Sequence, residues 1–121
     1  MTPDLAALRA LLVADLDAVT DGVQAVGFSP EALAAPAWIV RPATPWVTTD
    51  SEPFRSVLVR WTVTAVVDVA TNEKATADLD ALVAAAVSAL NVVEVSDPYV
   101  YASNTALHLA ADLTIHDHAT I

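Results

Sequence analysis

The residues best equipped for chemistry gather near the C-terminal end: His108, Asp112, His116 and His118. Their numbers share parity, so on an extended strand they project from one side. His116 and His118 would stand about 7 Å apart there, a separation that could suit a metal ion, with Asp112 as a third ligand. The plainer reading is the solvent face of a strand running into a terminal tail, where order is usually lost. The plainer reading is preferred, and no metal ligand or cofactor is assigned. Asp15, Asp17 and Asp21 are spaced for the outer side of a helix rather than for a catalytic cleft. The chain contains no glycine-rich phosphate loop, no G-x-S-x-G and no cysteine. No catalytic residue is therefore proposed, and the expectation is a protein that is not an enzyme. Arg41, Arg55 and Arg60 flank the middle of the chain. They could pair with acids of a neighbouring subunit, the favoured reading, or solvate a strand face.

The element that must position these residues is the run Ser56 to Ala70, SVLVRWTVTAVVDVA. Val57, Val59, Trp61, Val63, Ala65, Val67 and Val69 recur at period two, the pattern of a strand with one buried face. Ser56, Arg60, Thr62, Thr64 and Asp68 take the other face, interrupted by Leu58 and Val66. Strands usually run about 5–6 residues, so this one outreaches a small core. Its far end needs a cover, either another subunit or a loop of the same chain folded over a bend.

Around it the chain reads in order. Pro3 to about Thr20 is a helix, with Thr2 as cap and Leu5, Leu8, Leu12, Leu16 and Val19 as its apolar stripe. Gly22 and Gly27 lie just past it, where a left-handed backbone is wanted. Ser29-Pro30-Glu31 reads as a single helical turn and Ala37 to Arg41 as a short strand. Pro42 to Pro53 holds three of the seven prolines and fits no period. It is expected to be an ordered surface loop presenting Trp46 and Val47. Trp46 is then either a contact point for a partner or a plug for the loop's own base.

Lys74 to about Leu90 is a second helix, buried through Leu79, Leu82, Val83, Ala86, Val87 and Leu90 and kept slim by Ala84, Ala85 and Ala89. Val92 to Tyr101 is a strand interrupted at Asp97-Pro98, and Thr105 to about Asp117 is the last strand. The order α-β-β-α-β-β predicts an α+β fold, a two-layer domain with a mostly antiparallel sheet and helices packed on it. Residues 1–121 form one domain, with no repeat or linker.

Composition narrows the function classes. Hydrophobic residues make up 55% of the chain and mean hydropathy is +0.52, yet no run reaches the roughly 18 apolar residues of a membrane span. The excess reads as core plus apolar interface, with no membrane partner. Five Lys and Arg stand against fifteen Asp and Glu, a net charge of −10. Such a chain does not wrap a nucleic-acid backbone, although it could line a passage through which DNA slides without sticking. The N-terminus shows no signal peptide, so the default expectation is a cytoplasmic protein.

Taken together, the N-terminal leucine helix, AWIVRPATPWV with its proline–aromatic loop, RSVLVRWTVTAVVDVA, NEKATADLDALVAAAVSAL and the closing strands form a pattern. That pattern resembles the tail terminator and tail-completion proteins of long-tailed bacteriophages and prophages of actinobacterial hosts. The resemblance runs over nearly the whole chain but rests on element order and loop style. It implies a homo-oligomer, a ring of six, that caps the tail tube, ends its polymerisation and meets the head–neck connector, with DNA passing through the lumen. It places the protein in the virion tail, assembled in the host cytoplasm. Six copies would carry about −60, a lumen that does not hold a polyanion back. The residues expected to touch the tube, the neck or a neighbouring subunit are Trp46, Val47, Thr48, Leu58, Arg60 and Val66. Two other readings stand beside it: a neck or head-closure connector, and a small-ligand or metal-binding α+β domain using the histidine face.

Overall fold

The computed structural model describes residues 4–20, 22–27, 35–49, 56–68, 72–102 and 107–120. It is an α+β fold of two helices and a mixed, mostly antiparallel six-stranded sheet. The elements are α1 (Leu5–Val19), β1 (Gln24–Val26), β2 (Ala37–Thr48), β3 (Ser56–Asp68), α2 (Asn72–Ala89), β4 (Val92–Val95), β5 (Tyr99–Ala102) and β6 (Leu107–Thr120). The order differs from expectation at two places. The three-residue β1 is too short to leave a period in the sequence and pairs in parallel with β2. The break at Ser96–Pro98 splits the fourth expected strand into β4 and β5, both antiparallel to β6.

The sheet runs β1-β2-β3-β6-β4, with β5 on the same side of β6 as β4. β3 and β6 pair without a break from Ser56↔Thr120 to Asp68↔His108. An unbroken register follows from strict alternation, because a one-residue slip would turn every apolar side chain to the wrong face. The alternation is realised as read: Val57, Val59, Trp61, Val63, Ala65 and Val67 are all buried. They join Trp38 and Val40 of β2, Ala111, Leu113 and Ile115 of β6, Leu12 and Leu16 of α1, and Ala75, Leu79, Leu82 and Ala86 of α2 in one cluster. The far end of the long strand is therefore covered from within, Val57 and Val59 included.

α1 starts two residues later than expected, and Asp4 rather than Thr2 caps it, its carboxylate accepting from the Ala7 N–H at 2.9 Å. Gly22, just past this helix, has φ +79°, which only glycine adopts freely. In α2 the buried set is Ala75, Leu79, Leu82 and Ala86, at steps of four, three and four. Val87, expected inside, stands 49% exposed, because one residue past Ala86 is a rotation of about 100° away from the core. Ala84 and Ala89 also face outward, so the alanines that permit close packing are Ala75 and Ala86.

The proline-rich stretch is also corrected. Residues 42–48 belong to β2, with a register shift between Pro42 and Val47 that takes up the irregular sequence. The helical turn at Ser29-Pro30-Glu31, residues 50–53 of the expected loop, Arg55 and Val69 lie outside the described residues.

Candidate functional site

The face of the sheet opposite the main cluster carries the polar side chains. Four strands contribute to its best-organised group: Arg41 from β2, Thr64 from β3, Asp112 from β6 and Tyr99 from β5. The Thr64 hydroxyl donates to Asp112 Oδ1 at 2.7 Å and accepts from Arg41 Nη2 at 2.9 Å. The Tyr99 hydroxyl donates to the same Oδ1 at 2.8 Å, and the Arg41 guanidinium lies 3.6 Å from it. Ser96 holds the Asp112 backbone from both sides, its N–H donating to the Asp112 carbonyl and its Oγ accepting from the Asp112 N–H.

Burial, then the hydrogen bond and charge of Asp112, push the Tyr99 phenol up to about 12. It therefore stays protonated and serves as a donor. Thr64 is fully buried and Asp112 Oδ1 already takes two hydroxyl donors. The group acts as a clamp across β2, β3, β6 and β5, with both hydroxyls and Asp112 Oδ1 engaged by one another. Arg41 thus lies beside an acid of its own chain, with its side chain 43% exposed.

The histidines do not converge. His108, Asp112 and His116 do share the polar face, opposite Asp68, Thr64 and Arg60 of β3. Residues four apart on a strand are, however, about 13 Å apart, far beyond the reach of one ion. Among the described residues no group of three or more His, Asp or Glu could hold a metal ion. His108 is buried, with Nδ1 3.8 Å from Asp68 Oδ1 and its ring tilted beside Tyr101. His116 Nε2 and Arg60 Nε, on neighbouring strands, are both buried and lack a hydrogen-bond partner among the described residues.

The six expected contact residues separate into three groups. Thr48 and Leu58 pair across β2 and β3, and Leu58 and Arg60 pair with His118 and His116 of β6. These form one half-buried end of the polar face. Trp46 and Val47 pack instead against the main cluster. The Trp46 ring meets Trp61 edge-on at 5.6 Å, and the Arg9 guanidinium lies 5.7 Å from the first ring and 5.3 Å from the second. Val66 is fully buried with Ile39 and Ala110, beside Tyr99 and Tyr101 of β5. Its interruption of the polar face is explained inside this chain, and it has no surface to offer a partner.

Sequence reasoning missed the other border of the sheet. Val93, Val95 and Val100, on β4 and β5, are exposed, and so is Val87 of α2. A groove of about 490 Å³ runs between α2 and this border, floored by Leu79, Val83 and Ala111. Val93 and Val95 sit in a four-residue strand, too short for alternation to signal which side chain faces out.

No protein-family model matches this chain, and no curated protein matches it. No helix among the described residues is long and apolar enough to cross a membrane.

Proposed function

We propose that this chain is a structural protein of a long-tailed phage or prophage. Its two-layer α+β protomers would form a ring, of six by the resemblance, on the end of the tail tube. The ring stops tube growth and joins the tail to the head–neck connector, and DNA passes through its lumen. The protein then belongs to the virion tail after assembly in the host cytoplasm. Its mechanism is steric: bound at the tube end, it covers the surface on which the next tube ring would add, without a reaction and without a cofactor.

One observation supports this reading above the others. In the polar cluster Asp112 Oδ1 is already taken by two hydroxyls of the same chain, whereas an apolar strand border stands exposed. A chain whose unspent surface is apolar and strand-edged is built for association. The half-buried Thr48, Leu58 and Arg60 are retained as contacts to the tube or neck, since their side chains share one end of the polar face.

The test is tube assembly. Added to the matching tube protein during polymerisation, the chain should shorten the tubes in proportion to its amount and appear at tube ends in electron micrographs. Leu58→Asp with Arg60→Glu should remove this effect and leave the circular dichroism spectrum unchanged. Tubes of undiminished length with the unaltered protein bound nowhere on them would refute the proposal.

A further inference from the structure

One border of the sheet ends in a strand whose surroundings specify what can pair with it. β4 lies outermost there, and its outer edge has no strand partner among the described residues. Past the register shift between Val92 and Glu94, the ladder with β6 runs regularly from Glu94 to Ser96. The Ser96 N–H is spent on the Asp112 carbonyl at 2.8 Å, so by alternation the Val95 N–H and C=O point away from β6. Proline and lysine commonly guard such an edge, and β4, VVEV, has neither.

The two sides of this edge differ in chemistry. Val95, opposite Leu113, lies on the side of the main cluster, where the groove of about 490 Å³ opens towards α2 over Leu79, Val83 and Ala111. Val87 of α2, Val93 and Val95 of β4 and Val100 of β5 are four of the six large apolar side chains that stand exposed among the described residues. Glu94, opposite Thr114, lies on the polar side, where the Thr114 hydroxyl donates to its carboxylate at 3.5 Å. Asp80 and Asp97 are the other charges beside this border, both exposed. None of these three acids makes an ion pair among the described residues, and no described lysine or arginine lines the groove.

Successive side chains of a strand point to opposite faces, so a strand laid along β4 meets both sides at once. One set of its side chains would enter the groove against the valines, and the alternate set would stand over Glu94. We infer that this border takes an extended segment of a different protein, apolar and basic in alternation, as an added strand. Bonds to the Val95 N–H and C=O would hold its backbone, and the alternation would fix its register. A second copy of this chain does not supply such a segment. Arg9 lies over Trp46 and Trp61, Arg41 donates to Thr64 beside Asp112, Lys74 is paired with Asp78, and Arg60 stands inside the sheet opposite His116. Pairing β4 with β4 would set Glu94 against its own copy in a chain already at −10. The border alone specifies the chemistry of the segment; only its assignment to the tube or neck protein rests on the capping reading.

Three fluorescein-labelled peptides of equal length test this by fluorescence anisotropy: valine and lysine in alternation, the same residues in two blocks, and valine and glutamate in alternation. The alternating valine–lysine peptide should bind the unaltered protein about tenfold tighter than either of the others. Glu94→Lys should invert the order of the two alternating peptides. Val95→Pro, which withholds the outward N–H and leaves the ladder to β6 intact, should abolish binding. Circular dichroism checks that both variants fold. A block peptide bound as tightly as the alternating one would mean plain attraction to an acidic chain and overturns strand addition, as does binding that survives Val95→Pro. An order left unchanged by Glu94→Lys overturns the basic partner, and binding of none of the peptides overturns the site. An unaltered protein that doubles its mass in light scattering, and loses the doubling in Val95→Pro, would give the edge to a second copy and overturn the proposal. Tube capping is scored separately, so failure of strand addition and failure of the capping reading give different results.

Discussion

Replacing Trp46 by alanine separates the two roles that this residue was open to. The ring is half-buried against the main cluster, meets Trp61 edge-on at 5.6 Å and has the Arg9 guanidinium 5.7 Å from its centroid. A fully buried Trp→Ala change costs about 3–5 kcal/mol, so half burial suggests about 2 kcal/mol. The edge-on pair adds roughly 1 kcal/mol and the cation–π contact roughly 0.5 kcal/mol. The expected loss is therefore about 3.5 kcal/mol, or roughly 10–15 °C in melting temperature for a domain of this size. Thermal unfolding followed by circular dichroism measures it. Trp46→Phe should recover most of the loss, because it keeps an aromatic edge and removes an indole N–H that is buried without a partner among the described residues. A double-mutant cycle with Arg9→Met isolates the cation–π part. If Trp46→Ala melts within about 3 °C of the unaltered protein and yet loses tube capping, the packing argument fails and Trp46 is a contact residue.

Two further outcomes follow from the same geometry. The Tyr99 phenol, raised from 10.0 to about 12, should still be protonated at about pH 11 in phenolate absorbance. Its folded value lies above its unfolded one, so the stability it contributes is complete below about pH 10 and lost as pH rises through about 12. Asp112→Asn should lower that midpoint but not fully restore it, because burial is the larger cause; a Tyr99 midpoint that Asp112→Asn leaves unmoved would mean that the clamp is absent. Val66→Ala should cost about 2 kcal/mol in urea unfolding, as a truncation at a fully buried site, while capping per folded molecule stays unchanged. Loss of capping without loss of stability would return Val66 to the surface.

Much of this architecture was legible in the residues alone, and the reason is periodicity. The β3 face from Val57 to Val67 and the α1 stripe at Leu5, Leu8, Leu12, Leu16 and Val19 repeat long enough for only one orientation to bury them. What repeats over many residues is written locally. The three-residue β1, the split of β4 from β5 and the strand through Pro42 and Pro45 carry no such repeat. They form because their partners are already in place as templates: β2 for β1, β3 for the stretch through Pro42 and Pro45, and β6 for β4 and β5.

The same division holds for the site. That His108, Asp112 and His116 share a face follows from parity, and parity is local. That Asp112 is claimed by Thr64 and Tyr99, and that Arg41 is held beside it, depends on four strands brought together from positions far apart in the chain. Whether an apolar residue on a polar face is an anchor or a core residue also depends on what lies over it. Leu58 and Val66 look alike in the alternation; Ile39 of β2, Ala110 of β6 and the tyrosines of β5 bury one, while the other stays half-open. The chain by itself determined which residues alternate and pair at a distance of a few positions. The tertiary structure decided which polar groups are consumed internally and which sheet border is left unpaired, because both are set by neighbours that no local pattern encodes.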